Sequence, residues 1–510
     1  MNRRAARAAC ILCALCLALT GCVARQSAPA SRVTLPPVNF GREAPENDVN
    51  QTYEQTVLLY LPSREGDQLL AVPQTATLSA ARHDARELCE MLLGHRGTDS
   101  AAPLGDEVEL SLAETDPVEV SGTVATVSLA ASALRLSHEQ LFVAGQALAN
   151  TLGQFGDITA VNVLIAGAQP GLNIASTLPA GCFVPNLRED LGTLWARASA
   201  PAAAGRRSFV TALYYPAPSG KGVLCEARTL SFPSQELPAM ALTLLEALAA
   251  GAENLPTSPR CAALRTLLIG EPTLEEAGGQ RRIVFRFAEE LNTALLDVGI
   301  TRSVMMASLV YTMTTFLPGI EGIEVRIGSD RINTLTPSGI YGSAGEQMTI
   351  AFQDGLMRRR DFPVFLLSYC ALYFSNGQGG LTRVLRPIPY YECSNARALI
   401  QQLMLGPQPF DSQTGLYASL PQGLRSADLL GVAFEGGAML LNFSSQLASL
   451  SGDLSAEGER RLIYAVVNTL CELKGVKRVA FFIQGDQPET LAGTLFLPGD
   501  FLPNADLVGN

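Results

Sequence analysis

Lysine is nearly missing from this chain of 510 residues, occurring only at Lys221, Lys474 and Lys477. Histidine is as scarce, at His83, His95 and His138, and Trp195 is the only tryptophan. Acidic residues outnumber basic ones, and the formal net charge is −11. That balance excludes nucleic acid as a partner, because a phosphate backbone needs clustered Lys and Arg. Arginine, alanine and glycine are plentiful, so the lysine shortage reads as composition bias. So few histidines leave few Ser-His-Asp or Cys-His arrangements, and none sits on a Gly-x-Ser-x-Gly turn. No Ser-x-x-Lys signature and no phosphate loop ending in Gly-Lys-Ser/Thr is present. No enzyme activity and no cofactor is therefore expected.

Long apolar runs are also missing. The one candidate, residues 8–19 behind Arg3, Arg4 and Arg7, is too short for a bilayer core, which takes about 20 residues. It reads as the apolar region of a signal peptide over residues 1–22. The run ends in Leu19-Thr20-Gly21-Cys22, which resembles the bacterial lipobox, where the cysteine thiol receives a diacylglycerol. An ordinary signal peptide with an incidental cysteine is the competing reading. On the lipobox reading Cys22 carries the lipid and tethers the mature chain outside the cytoplasm, two acyl chains being enough for durable anchoring. Residues 23–50 hold Pro29, Pro36, Pro37 and Pro45 without periodicity, and are expected to form a flexible tether of roughly 30 Å.

Seven of the 11 cysteines follow Cys22: Cys89, Cys182, Cys225, Cys261, Cys370, Cys393 and Cys471. An odd number cannot pair completely within one chain, and the spacing fits no zinc pattern. Buried free thiols are expected, with a Cys370–Cys393 bridge left open as the alternative.

What is present is repetition. Thr151-Leu152, Thr312-Met313 and Thr469-Leu470 each precede a β-like run that ends in Gly167, Gly328 and Gly485, an offset of 16 residues in every copy. The first and third copies share a Gly-x-Gln-Pro flank, at residues 167–170 and 485–488. Such long repeats are whole domains rather than solenoid units, and each is long enough for its own core. The third copy reads as strands over 364–374 and 381–387, a helix over 396–405 stopped by Gly406-Pro407, and a hairpin over 429–443 around Gly436-Gly437. A helix over 457–473 and a strand over 479–483 close the unit. Tyr60, Tyr214 and Tyr373 mark the first strand of each copy, and Gly94, Gly251 and Gly406 end the first helices. This order predicts an α+β fold of three tandem modules, each a mixed sheet covered on one face by two helices. The expected boundaries are 51–190, 206–332 and 361–510. The connector near 187–207 reads as flexible, and that near 333–361 alternates enough to hold a hairpin.

Copy three is similar to the GerMN domain of the sporulation and spore-germination family. The resemblance is carried by Ala371-Leu372-Tyr373-Phe374, Leu403-Met404-Leu405-Gly406-Pro407 and Leu420-Pro421-Gln422-Gly423. It continues through residues 437–444 and from Val467 to Gly485. Copies one and two depart from it, lacking the proline after Gly94 and Gly251 and placing Glu289-Glu290 where copy three has Ser444-Ser445. The resemblance implies a lipoprotein of a Gram-positive bacterium, bound to the cell membrane. It would act as a non-enzymatic interaction scaffold with other cell-envelope or sporulation proteins. A ligand-binding envelope lipoprotein, recognising peptidoglycan fragments or a small solute, is the alternative.

Four further features have bland readings. His83, Glu87 and Glu90 lie on one helix face, but Ala81, Ala85, Leu88 and Leu92 form the apolar stripe, so the trio belongs to the solvent side and no metal site is expected. Ser444-Ser445 reads as a helix cap. Arg358-Arg359-Arg360 reads as a solvated linker end, with anionic lipid or wall polymer as the other possibility. Trp195 docks the first connector onto a domain or onto a partner.

Overall fold

The computed structural model describes residues 42–49, 52–105, 108–200, 206–256, 258–277, 279–338 and 347–509. The lipobox residues Leu19, Thr20, Gly21 and Cys22 lie outside them. Among the described residues no single helix is long and apolar enough to cross a membrane.

One order of elements occurs three times, in an α+β arrangement. Module 1 has β1 (Thr52–Pro62), β2 (Leu69–Ser79), α1 (Ala85–Gly94), β3 (Val118–Ser121), β4 (Val124–Leu129), α2 (His138–Leu152), β5 (Ala160–Ile165) and β6 (Cys182–Phe183). After α3 (Leu191–Ser199), module 2 has β7 (Arg207–Pro216), β8 (Val223–Phe232), α4 (Leu237–Ala250), α5 (Ala263–Thr266), β9 (Thr273–Ala277), β10 (Gln280–Phe287), α6 (Leu291–Asp297), α7 (Arg302–Phe316) and β11 (Gly322–Ile327). The short strands β12 (Asp330–Arg331), β13 (Thr334–Leu335) and β14 (Ile350–Ala351) follow. Module 3 has β15 (Leu367–Ser375), β16 (Leu381–Pro389), α8 (Ala396–Met404), β17 (Leu429–Glu435), β18 (Ala438–Phe443), α9 (Ser445–Ser451), α10 (Ala456–Leu470) and β19 (Arg478–Ile483).

The pairing repeats as well. In each module the first two strands form an antiparallel ribbon. The next two form a second antiparallel hairpin, and the last strand lies parallel to its inner strand. The strands of a module thus form two sheets, a ribbon and a mixed sheet. The long second helix joins them, and the threonine landmark is its clasp. Thr151, Thr312 and Thr469 each accept a hydrogen bond from the backbone N–H of Tyr60, Tyr214 and Tyr373, at 3.1, 3.0 and 3.2 Å. All three threonines are fully buried, so each clasp satisfies a strand donor that would otherwise be stranded away from water. These second helices also start alike, on Ser137, Thr301 and Ser455, whose hydroxyls accept from Gln140, Val304 and Gly458 N–H.

The glycine landmark has a backbone cause. After β5 and β19 the chain reverses through Ala166-Gly167 and Gln484-Gly485, both residues of each pair at positive φ (49° and 80°, 53° and 90°). Mutual hydrogen bonds of Ile165 with Ala168, and of Ile483 with Asp486, close each turn. Two positive φ values in a two-residue loop favour glycine.

Two expectations are corrected. The modules do not each have a core of their own: modules 1 and 2 share one continuous core, from Val57 to Leu366, while module 3 has a separate one built on Leu372, Ile400, Val466 and Phe481. The merger occurs where β6 runs beside β7, Gly181 lying so close to Val210 that a Cβ would meet its carbonyl at 2.9 Å. The first connector is not featureless either. Asp190 caps α3 by accepting from Thr193 N–H at 2.8 Å, and Trp195 packs 5.5 Å from Phe142 of α2, on its own module. In the second connector β13 and β14 pair as a hairpin.

The described end of the expected tether is docked, not free. Residues 42–49 run along module 3, where Val49 bridges Ala433 in parallel and donates to Val432 O at 2.8 Å. Arg397 grips the Asp48 carboxylate with two bonds of 2.6 Å, and Arg42 pairs with Asp500. The strap passes so close over Gly431 that a Cβ there would meet Pro45 O at 2.2 Å. These contacts are between residues more than 300 positions apart, so nothing local in the sequence announces them.

Candidate interaction surface

Each mixed sheet buries one face under its helices and leaves the other for something else. The helix side is apolar in all three: Ala125, Val127 and Leu129 of β4, Ile283, Phe285 and Phe287 of β10, and Met439, Leu441 and Phe443 of β18. The alternate positions differ completely, as the two-residue period of a strand permits.

In module 1 that second face is polar and covered. Thr126 hydroxyl meets Tyr214 hydroxyl at 3.2 Å, and Ser121 hydroxyl donates to Leu367 O. Glu119 pairs with Arg359, which also donates to Thr315 hydroxyl at 2.7 Å and lies 4.3 Å from the Tyr311 ring centre. Burial works most strongly against the Arg359 charge, but Glu119, Tyr214 and Tyr311 together outweigh it and raise the guanidinium pKa above its usual value. The middle of the arginine run is therefore a buried joint between modules 1 and 2, not a solvated linker end. Arg360 alone of the three is exposed, and Arg358 reaches Glu321 at 3.8 Å.

In module 3 the second face is apolar. Ala438, Leu440, Ala480 and Phe482 form a small buried cluster with Ala44 of the strap, and Asn442 donates to Pro45 O at 3.0 Å.

Module 2 carries charge at the same positions. Arg282 and Arg286 of β10 face Glu324 and Arg326 of β11, with Glu275 of β9 alongside. Glu324 is buried between Arg282 at 3.2 Å and Arg326 at 2.6 Å. Arg286 and Glu275 pair at 3.1 Å, and these two side chains, with Arg326, remain 37–41% exposed. On the outer side of β9 no backbone partner occurs among the described residues, and Leu274 is exposed there. An unpaired strand edge next to a face of alternating charge is suited to binding another chain. The signal was present as charges on one strand face, Arg282 and Arg286 flanking Val284, then Glu324 and Arg326.

The other singled-out residues have separate partners. His83 Nδ1 accepts from Ala85 N–H and its Nε2 lies 3.4 Å from Asp157, Glu87 pairs with Arg82, and Glu90 with Arg86. The trio is thus not convergent. Ser444 accepts from Gln446 N–H and caps α9. The seven cysteines are free thiols, five buried and two half-buried. Two structural arginines escaped the sequence reading. Arg386, fully buried, donates to Gln402 O, to Gly406 O at the end of α8, and twice to Asp411. Arg228 does the same at the end of α4, reaching Ala247 O, Gly251 O and Glu253.

Residues 371–489 match the Germane family, described as sporulation and spore germination. The tandem GerMN domains of the sporulation protein GerM from Bacillus subtilis are 18% identical, with 59% of this chain and 99% of that one covered and a TM-score of 0.22. The first GerMN domain of the same protein is 19% identical over 27% of this chain and 97% of that one, with a TM-score of 0.22. A lipoprotein from Clostridium perfringens is 17% identical over 27% of this chain and 87% of that one, with a TM-score of 0.19. No curated protein matches. The similarity to the Germane family, described as sporulation and spore germination, thus falls on module 3, within residues 371–489.

Proposed function

We propose that this chain is an extracytoplasmic lipoprotein, lipidated at Cys22, that acts as a non-enzymatic assembly scaffold during sporulation or spore germination. The family match supports a role in that process. One observation carries the scaffold reading: among the described residues two of three equivalent sheet faces are closed by contacts within the chain, whereas that of module 2, covered at one end where Arg282 donates to Asp354 O, keeps Arg286, Arg326 and Glu275 partly exposed beside an open edge. The partner is another envelope or sporulation protein that adds an extended segment along β9 and pairs its own charges with Arg286, Arg326 and Glu275. Main-chain hydrogen bonds to the edge would supply affinity, and the charge pattern would supply specificity.

The test is a pull-down from sporulating cells with the wild-type chain and an Arg286→Glu/Arg326→Glu variant. Envelope partners are expected with the wild type and lost with the variant; identical recovery, or none with either, contradicts the reading. Anchoring is tested separately, since Cys22→Ala should move the protein from the membrane to the soluble fraction.

A further inference from the structure

A cavity of about 880 Å³ opens at the joint between modules 1 and 2. That lies within the roughly 300–1,000 Å³ usual for small-ligand sites. Its floor is the buried Glu119–Arg359 pair with the hydroxyls of Thr126 and Ser128. The loop before β3 lines it with Glu114 and Asp116, and the segment of Arg358 and Arg360 lines it together with Glu321, which Arg358 reaches at 3.8 Å. Arg360, Glu114 and Asp116 make no side-chain hydrogen bond or ion pair among the described residues, although all three line the same space. All three are exposed, so water satisfies them in the free protein and they stay available to a ligand. The backbone of the acidic wall is fixed, Ala113 N–H bonding to Ser128 O and Ser128 N–H to Pro117 O. Asp116 sits at a positive φ of 41°, which L side chains rarely adopt.

We propose that this cavity binds a short peptide with free amino and carboxylate groups. Its carboxylate would sit against Arg358 and Arg360, its amines against Glu114, Asp116 and Glu321, and its backbone amides near the floor hydroxyls. A polyanion such as a nucleotide is disfavoured by four lining carboxylates. A plain amine leaves the arginines unused, and a plain acid leaves the carboxylates unused. Once Glu119 and Arg359 neutralise one another, three carboxylates face two guanidiniums, so a peptide carrying one amine beyond its N-terminus fits best. This site is separate from the open face of module 2 and does not depend on the scaffold reading.

The probe is the tetrapeptide Ala-Gly-Lys-Ala, titrated by calorimetry into the full chain in mild detergent. An N-acetylated, C-amidated form of the same peptide serves as the second arm. Saturable binding of the free peptide is expected, at least tenfold weaker for the capped form and for each of Arg360→Ala and Glu114→Gln/Asp116→Asn. These substitutions remove no side-chain hydrogen bond or ion pair among the described residues. No saturable binding at millimolar peptide, or equal binding of the free and capped forms to the wild type, overturns the proposal. The capped arm decides the matter even where a variant folds poorly.

Discussion

Modules 2 and 3 have the same strand order, the same pairing and the same helix positions, yet they present opposite surfaces on the sheet face away from the helices. At matching places module 2 has Val284, Arg286, Glu324 and Arg326 where module 3 has Leu440, Asn442, Ala480 and Phe482. The helix-side residues stay apolar in both. Burial under the helices thus fixes the fold, at about 1.5–3 kcal/mol for each large apolar side chain, and leaves alternate strand positions free to vary. Module 3 uses that freedom to hold the chain's own strap, while module 2 buries Arg282 and Glu324 and keeps Arg286 and Arg326 partly in water. The modules therefore differ on the face away from the helices rather than in the core.

The comparison can be broken at several points, taken here from the largest expected effect. Arg359→Met should leave Glu119 buried without its partner and cost about 3–5 kcal/mol. Denaturant unfolding would measure the loss, and limited proteolysis should cut near the joint of modules 1 and 2. Phe482→Arg, which gives module 3 the residue module 2 has at that place, should cost about 3–5 kcal/mol, because Phe482 is fully buried. The reciprocal Arg326→Phe should cost about 1–3 kcal/mol, because it removes one of the two partners of buried Glu324, and should promote self-association, read by light scattering. Thr151→Val, Thr312→Val and Thr469→Val should each cost about 1–3 kcal/mol, since each leaves a buried strand N–H unsatisfied. Similar losses in all three would show that the clasp is equivalent in every module.

The smallest effect concerns pH. Burial alone would raise the Glu459 carboxyl, but hydrogen bonds from Thr494 hydroxyl and from the N–H groups of Ala492, Leu495 and Thr494 hold it below its ordinary value of 4.5. A depressed acid stabilises the fold above its unfolded pKa. That contribution fades as pH falls from 4.5 through the lower folded value. Melting temperature should therefore drop over this acid window in the wild type and drop less in Glu459→Gln.

Features set by local geometry were legible in the sequence. Gly436-Gly437 and the Thr and Gly landmarks fell where hairpin turns, clasps and positive-φ turns need them. In module 3 the strand and helix ends lie within three residues of those expected. Features that depend on residues far apart in the chain were hidden. Arg359 looked like one of three surface arginines because its partner Glu119 lies 240 positions away. The strap looked structureless because proline and polar residues carry no period, although Asp48 meets Arg397 across 349 positions. A repeated asparagine pair went unnoticed for the same reason: Asn150 holds Asn186, and Asn468 holds Asn504, each 36 residues on. Module 2 has Tyr311 in place of that asparagine, with its hydroxyl donating to Phe362 O and its ring under Arg359. The charged face of module 2 was readable in principle, from Arg282 and Arg286 on one strand and Glu324 and Arg326 on the next.

The most direct test places a photo-crosslinking residue at Leu274 on the edge of β9 and, in a second protein, at Ala433 beneath the strap, both expressed in sporulating cells. Leu274 should give an adduct with another envelope protein, while Ala433 should give none beyond the chain itself. An intermolecular adduct from Ala433, or none from Leu274, would contradict the assignment of the docking face to module 2.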